Sequence, residues 1–190
     1  MGSDRLISAA VLAGGKSTRM GRDKAALPIG DRTLLEHQVQ KLRALGISDV
    51  MISGSTLTIS DTRFVPDVFP GKGPLSGIHA CLAAAKHEAV LFLPVDAPLL
   101  PLNVLRELTD AHRGGITLLR HGARTEPLFG VYDRALAALC EPILQSGDTS
   151  VKRLLEQTAV QLLELELPEP AFTNCNTPEE YRRILEALQG

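Results

Sequence analysis

The chain has 190 residues, of which 44% are hydrophobic and 22% are charged. This length suits one domain with a proper core, so we expect residues 1–190 to form a single domain, with residues 1–5 either disordered or added in cloning. The formal net charge of −2 argues against a broad basic surface for nucleic acid or for an anionic membrane. A small anionic ligand stays open, because it needs only a local cluster of cations.

The cysteine count and the hydropathy pattern bear on the cellular compartment. Cys81, Cys140 and Cys175 include no C-x-x-C pair, which predicts neither a disulfide framework nor a zinc site. The N-terminus lacks the apolar core of a signal peptide, and the best apolar run, residues 89–95, is too short to span a bilayer. We therefore expect a cytoplasmic protein without a membrane segment.

Short apolar runs alternate with longer amphipathic segments in the first half of the chain. Residues 7–12 form an apolar run that ends in glycines, which is typical of a strand buried on both faces. A helical stripe follows, formed by Leu34, Leu35, Gln38, Leu42 and Leu45, with Gly46 as a stop. In chain order we predict a strand at 7–12, a helix at 33–45, strands at 50–52 and 63–65, a helix at 74–87 and a strand at 89–93.

The second half continues the alternation and adds a hairpin. In chain order we predict a helix at 101–112, strands at 116–120 and 126–132, helices at 133–145 and 150–157, a strand at 160–165 and a helix at 178–188. The two strands before residue 133 would pair through the His121-Gly122 turn. Thr177 stands as N-cap of the last helix, with Glu180 in the capping-box position. The pattern predicts an α/β layer fold whose mostly parallel sheet is made mixed by this hairpin.

A glycine-rich loop follows the first strand, at the edge where α/β sheets bind ligands. Gly14 and Gly15 permit a tight turn and let backbone N–H groups approach phosphate oxygens. Four cations follow within nine residues: Lys16, Arg19, Arg22 and Lys24. The loop predicts a nucleoside triphosphate site, and the alternative is an ordinary strand-to-helix turn with solvated cations.

Two other phosphate loops fit poorly. Gly15-Lys16-Ser17-Thr18 matches the end of a Walker A loop, but the required first glycine is replaced by Ala10. The spacing from Gly14 to Gly21 also misses the G-x-G-x-x-G pattern of dinucleotide-binding proteins.

Asp96 ends the apolar segment of residues 90–95. A carboxylate at the carboxyl edge of a buried strand suits Mg²⁺, which prefers oxygen ligands and completes its shell with phosphates and water. The alternative is that Asp96 caps the turn that follows. The five histidines show no metal spacing, and we expect them to be structural or solvated.

Five segments resemble, in the same order, those of one family over nearly the whole chain. They are Leu12-Ala13-Gly14-Gly15 through Lys24, Pro66-Asp67, Gly73-Pro74-Leu75-Ser76-Gly77, Leu93-Pro94-Val95-Asp96-Ala97-Pro98 and Asn174-Cys175-Asn176-Thr177-Pro178-Glu179. Together they resemble the molybdenum cofactor guanylyltransferases, the MobA-type enzymes. The resemblance implies a Rossmann-like three-layer α/β/α nucleotidyltransferase fold. It also implies Mg²⁺-dependent transfer of GMP from GTP to molybdenum-molybdopterin, with release of pyrophosphate.

The resemblance also assigns roles to residues. Nucleotide contacts fall to Leu12, Ala13, Gly14, Gly15, Lys24, Ser53, Asp67 and Asp96, where Ser53 replaces an asparagine that is frequent in the family. Catalytic roles fall to Lys24, Asp96 and Arg19, and the metal falls to Asp96. Asn174 and Asn176 are assigned to the pterin substrate or the metal.

Base choice and acceptor leave alternatives. Gly14 and the 73–77 segment favour GTP, because the related cytidylyl branch tends to carry alanine at the position of Gly14. A molybdopterin cytidylyltransferase, a sugar-1-phosphate nucleotidyltransferase and a nucleotide-binding module without turnover remain as rivals. Transient complexes with other cofactor-assembly proteins are chemically plausible, because the product is unstable in water.

Overall fold

The computed structural model describes residues 6–14, 23–167 and 169–189. The expectation for residues 1–5 falls outside these ranges. The strands are β1 (Ser8–Leu12), β2 (Pro28–Ile29), β3 (Arg32–Thr33), β4 (Asp49–Ser53), β5 (Arg63–Phe64), β6 (Ala89–Pro94), β7 (Ile116–His121), β8 (Arg124–Asp133) and β9 (Val160–Glu164). The α-helices are α1 (Leu34–Ala44), α2 (Gly73–Ala84), α3 (Leu102–Ala111), α4 (Ala137–Gln145), α5 (Val151–Leu155) and α6 (Pro178–Gln189).

Seven strands form one mixed sheet, in the order β5-β4-β1-β6-β8-β7-β9. The pairs β1–β4, β1–β6, β4–β5 and β7–β9 are parallel, whereas β8 runs antiparallel to both of its neighbours. The hairpin between β7 and β8 turns at Gly122, which has a φ of 55°. The predicted mostly parallel sheet with a late hairpin is therefore confirmed.

Two separate apolar cores show that the sheet is covered on both faces. Alternate residues of β1 divide between them: Ala9 and Val11 pack in the first core, and Ala10 and Leu12 pack in the second. Buried side chains of α1, α3 and α6 belong to the first core, and those of α2, α4 and α5 belong to the second. This is the three-layer α/β/α arrangement that the family resemblance implies.

Helix ends follow local sequence rules. The predicted capping box of α6 is present, since Glu180 N donates to Thr177 Oγ1 at 3.2 Å and Thr177 N donates to Glu180 Oε2 at 2.9 Å. A second box that the sequence reading overlooks begins α1, between Thr33 and Glu36. Gly46 ends that helix with a φ of 83°, in the left-handed region that glycine adopts easily.

Several details differ from the prediction; α5, for example, ends at Leu155 instead of residue 157. The short hairpin of β2 and β3 was not predicted. Helix α2 ends at Ala84 instead of residue 87, because the Lys86 N–H donates to Asp49 Oδ2 and so leaves the helical ladder. Asp133, expected in a helix, pairs with Ala89 as the last residue of β8.

Every helix among the described residues is too short or too polar to span a bilayer.

Candidate active site

A cavity of about 610 Å³ opens at the carboxyl ends of β1, β4 and β6. Its walls come from these strand ends, from the segment before α2 and from β8. The lining residues are Leu12, Ala13, Gly14, Lys24, Ser53, Gly54, Asp67, Gly71, Gly73, Pro74, Gly77, Pro94, Val95, Asp96 and Leu128. The cavity thus lies at the sheet edge where parallel α/β folds bind ligands.

The start of the glycine-rich loop is fixed by its two neighbouring strands. The Ala13 N–H donates to Ser53 O at 2.8 Å, and the Val95 N–H donates to Leu12 O at 3.0 Å. These bonds continue the sheet for one residue beyond β1. The chain therefore reaches Gly14 in a defined position, next to the ends of β4 and β6.

Gly14 and Gly54 meet backbone to backbone. Gly54 has a φ of 81°, and a Cβ atom added to it would lie 2.3 Å from both the Cα and the N of Gly14. A Cβ atom added to Gly14 would lie 3.4 Å from the Gly54 Cα, an ordinary contact. Gly54 is therefore required by its neighbour, whereas nothing in the described protein forces glycine at position 14.

A serine–carboxylate pair lies at the end of β4, directly before Gly54. Ser53 Oγ donates to Asp67 Oδ1 at 3.2 Å, so the two predicted nucleotide residues hold each other. Ser53 is also enclosed by α2, because a Cβ atom added to Gly77 would lie 2.8 Å from its Oγ. The last glycine of the 73–77 segment thus leaves space for this hydroxyl.

Three chain segments meet at Lys24. Its Nζ donates to Asp96 Oδ2 at 2.9 Å and to Asn176 Oδ1 at 2.6 Å. The side chains of Lys24 and Asp96 are 17% and 23% exposed, so this ion pair is mostly shielded from solvent. Before it, the Asp23 side chain accepts from Ala25 N and starts a 3-10 turn over Lys24–Ala26. This cap fixes the backbone that presents Lys24.

The closing segment, residues 174–179, is also joined to Asp96 through the backbone. The Cys175 N–H donates to Asp96 O at 2.7 Å, which brings the Asn174–Asn176 stretch against the β6 edge. Burial raises the pKa of the Cys175 thiol to about 11, so this thiol is protonated and inert at neutral pH. The Asp96 carboxylate bonds to Lys24 here, and no bond from it to the following turn occurs among the described residues.

The donor set around Asp96 suits a metal that carries its own oxygen ligands. In the described ranges, no group of three or more His, Cys, Asp or Glu side chains could hold an ion alone. Asp96 supplies one carboxylate, and Asn176 supplies an amide oxygen within reach of the same ammonium group. Mg²⁺ commonly takes one or two protein oxygens and completes its octahedron with phosphates and water, so these residues fit Mg²⁺ bound together with a nucleotide.

The structure brings together most of the predicted site residues. Seven of them line the cavity: Leu12, Ala13, Gly14, Lys24, Ser53, Asp67 and Asp96. Asn176 joins them through Lys24, and the Asn174 carbonyl accepts the Asn176 N–H at 3.1 Å. Gly15 and Arg19 lie outside the described residues, so their roles stay predictions.

Three lining residues, Gly54, Gly71 and Leu128, are not predicted from the sequence. Gly54 directly follows a predicted strand, and a glycine at such a place is a signal that could have been used. Leu128 reaches the cavity from β8, and no local pattern distinguishes it from other strand leucines.

Comparisons with known proteins agree with this geometry. Residues 9–163 match the family model of the MobA-like NTP transferase domain. The molybdenum cofactor guanylyltransferase of Rhizobium johnstonii is 34% identical over 207 residues, which covers 97% of this chain and 95% of that protein.

Solved structures share the fold. Molybdopterin-guanine dinucleotide biosynthesis protein A of Archaeoglobus fulgidus superposes with a TM-score of 0.79 at 22% identity, covering 96% of this chain and 98% of that one. A Mycobacterium tuberculosis H37Rv protein in complex with manganese superposes with a TM-score of 0.70 at 20% identity, covering 97% and 100%. These two likenesses concern the fold alone. The family model over residues 9–163 and the R. johnstonii relative establish the family: the chain belongs to the MobA-like NTP transferase domain family.

Proposed function

We propose that this chain transfers GMP from GTP to molybdenum-molybdopterin, forming molybdopterin guanine dinucleotide and releasing pyrophosphate. The observation that carries the proposal is the contact of Lys24 with Asp96 and Asn176 at the edge of the cavity. This contact joins the end of the glycine-rich loop, the end of β6 and the closing segment at one point. The name of the R. johnstonii relative gives the acceptor and the base.

The cavity offers a triphosphate a wall nearly free of side chains at one end and a cation at the other. The paired backbones of Gly14 and Gly54 form the first, and the Lys24 ammonium group forms the second. Phosphate oxygens can approach glycine backbone closely because no Cβ intervenes. We infer that the phosphates extend from Gly14 towards Lys24 and Asp96.

The reaction is a substitution at the α-phosphorus of GTP. A terminal phosphate oxygen of the pterin forms the new P–O bond, the bond to the β-phosphate breaks, and pyrophosphate leaves with that electron pair. The attacking oxygen is already ionised at neutral pH, so no general base is needed. Catalysis then depends on positioning and on electrostatic stabilisation, to which Lys24 contributes its fixed positive charge.

We assign the metal to Asp96, with Asn176 within reach of the same position. Mg²⁺ held there would neutralise charge that develops on the phosphate oxygens and on the leaving pyrophosphate. The manganese complex of a protein with the same fold supports a divalent cation in this setting. Asn174 remains the predicted contact for the pterin.

The preference for GTP rests on Gly14 and on the 73–77 segment. Because the described protein leaves room for a Cβ atom at Gly14, the glycine there is explained by a ligand that comes close. Ser53 and Asp67 offer a hydroxyl and a carboxylate in the same cavity, and a carboxylate can accept two hydrogen bonds from the N1–H and N2–H₂ edge of guanine. We infer that Asp67 contributes to the choice of guanine.

The cellular setting follows the same proposal. Cys81, Cys140 and Cys175 are unpaired and buried, which supports a reducing compartment. We propose that the chain acts in the cytoplasm, with transient contacts to other cofactor-assembly proteins.

The proposal is tested by incubating the protein with molybdenum-molybdopterin, Mg²⁺ and one triphosphate at a time, and by following pyrophosphate release. We expect release with GTP and formation of the guanine dinucleotide. Asp96→Ala should lower the rate by about 10²–10³-fold, the scale for removal of one preorganised electrostatic group. Asp31→Ala is the matched control, because Asp31 is an exposed carboxylate, 83% solvent-accessible, in the turn between β2 and β3.

The outcomes separate the rivals. Release with CTP alone would replace guanylyl by cytidylyl transfer, and release only with a sugar 1-phosphate would overturn the acceptor. GTP binding without pyrophosphate release under any of these conditions would favour a binding module. Equal rates for Asp96→Ala and Asp31→Ala would remove Asp96 from the catalytic site.

A further inference from the structure

Gln38 is a polar residue within the apolar stripe of α1. Its neighbours on that stripe, Leu34, Leu35 and Leu42, are fully buried, and Gln38 is also 0% exposed. Burying an amide costs free energy unless its donors and acceptors find partners. An apolar residue would suit this packing position, so the amide requires an explanation beyond packing.

The partners of Gln38 lie on either side of Asp96. The Gln38 Nε2 group donates to Pro94 O at 2.8 Å and to Ala97 O at 3.1 Å. Its two N–H bonds therefore span the turn that carries Val95 and Asp96. The Asp96 carbonyl accepts from Cys175 N, so the peptide on the other side of the turn is fixed as well.

The orientation of the Gln38 amide is unambiguous. Both nearby acceptors are carbonyl oxygens, which require N–H donors, so the NH₂ group faces the turn. Gln38 Oε1 is then buried without a hydrogen-bond partner in the described part of the chain. The residue thus retains two bonds to the Asp96 turn while one of its own acceptors goes unsatisfied, and such exceptions cluster at functional sites.

We propose that Gln38 is a positioning residue, which holds the Asp96 carboxylate where the metal–nucleotide complex binds. It is not among the residues that line the cavity, and it acts through the backbone carbonyls of Pro94 and Ala97. This inference rests on the proposed function of Asp96. Partners one step removed from a metal ligand typically affect metal affinity or activity by about 10–100-fold.

The test compares two substitutions on the same helix. Gln38→Met keeps the length of the side chain and removes both donors to the Asp96 turn. Lys41→Met is the matched control, since Lys41 Nζ donates to Leu100 O at 2.8 Å and to Pro98 O, farther along the same segment. Binding of Mn²⁺ with GTP is measured by the loss of the free Mn²⁺ electron paramagnetic resonance signal, and GMP transfer is measured separately with Mg²⁺.

We expect Gln38→Met to weaken the binding of Mn²⁺ with GTP by about 10–100-fold and to lower kcat, with Lys41→Met within about threefold of the wild type. Equal binding by Gln38→Met and the wild type would overturn the proposal. An equal loss in both variants would also overturn it, because general loosening of the segment would then suffice.

Two provisions keep the result interpretable. If Gln38→Met is recovered unfolded, Gln38→Leu replaces it, because leucine also lacks both donors and matches the fully buried leucines around it on α1; the same loss is expected. If the wild type binds Mn²⁺ with GTP but transfers no GMP to the pterin, the proposed function fails while the binding measurement still decides the role of Gln38.

Discussion

Replacing Gly54 by alanine tests whether the contact between Gly14 and Gly54 shapes the nucleotide loop. The added Cβ would lie 2.3 Å from the Gly14 Cα. Optimal carbon–carbon separations begin at about 3.5 Å, so one backbone must move by roughly 1.2 Å to reach that range. Misplacement of a reacting group by about 1 Å can lower a rate by about 100-fold, and we expect a loss of this size in GMP transfer.

The control for this substitution is Gly30→Ala. Gly30 also has a positive φ, 63°, but among the described residues no atom lies within 4 Å of an added Cβ. Both variants should lose about 1–2 kcal/mol of unfolding free energy from the left-handed backbone. Only Gly54→Ala should lose GTP affinity as well. Denaturant unfolding and calorimetric titration with GTP measure the two effects, and a Gly54→Ala protein that binds GTP as well as Gly30→Ala would refute the reasoning.

Two further predictions concern stability. The Asp49 side chain is 2% exposed, and it accepts a hydrogen bond from Arg63 Nη2 at 2.7 Å. Asp49→Ala should lower the unfolding free energy by about 3 kcal/mol. This value is the lower end of the range for breaking a buried ion pair, because the Arg63 side chain is partly hydrated. Burial raises the pKa of the Asp49 carboxyl, but hydrogen bonds from Ser8, Arg63 and Lys86 outweigh burial and lower this pKa below its ordinary value of 3.8. The difference in unfolding free energy between the wild type and Asp49→Ala should therefore hold above pH 4 and shrink as the pH falls further. A constant difference down to pH 2 would contradict this. Burial lowers the pKa of Lys41 from 10.5 to about 8. The unfolding free energy of the wild type relative to Lys41→Met should therefore rise between pH 8 and 10, as measured by denaturant midpoints. A fall over this pH range would contradict the lowered pKa of Lys41.

Much of the fold was predictable because its signals are local. The buried strands β1 and β6 are continuous apolar runs, and the α6 capping box lies within four residues. The end of α2 was not predictable, since it is decided by Asp49, which is 37 residues away from Lys86. Local sequence carries no record of such a partner.

The site divides in the same way. The glycine loop and Asp96 each follow a strand, and this placement suffices to predict that they share one edge of the sheet. The hydrogen bond between Lys24 and Asn176 joins residues 152 positions apart. Only the family resemblance predicts that the glycine-rich loop and the closing segment belong to one site. The helical periodicity predicts that Gln38 is buried along with the leucines of its stripe. It does not predict that the Gln38 amide donates hydrogen bonds to a turn that is distant in sequence.

The closing segment has a consequence for when activity first appears during synthesis. Asn176 and Cys175 reach the site from the last tenth of the chain, and both bond to residues that emerged much earlier. A growing polypeptide can form the β1–β4–β6 ladder and its glycine turn long before this segment exists. Such an intermediate would carry the pair of Lys24 and Asp96 without the contacts from Asn176 and Cys175. Nucleotide transfer would then require residues 174–176 in place, and a fragment that ends before Cys175 would lack both of these contacts to the site.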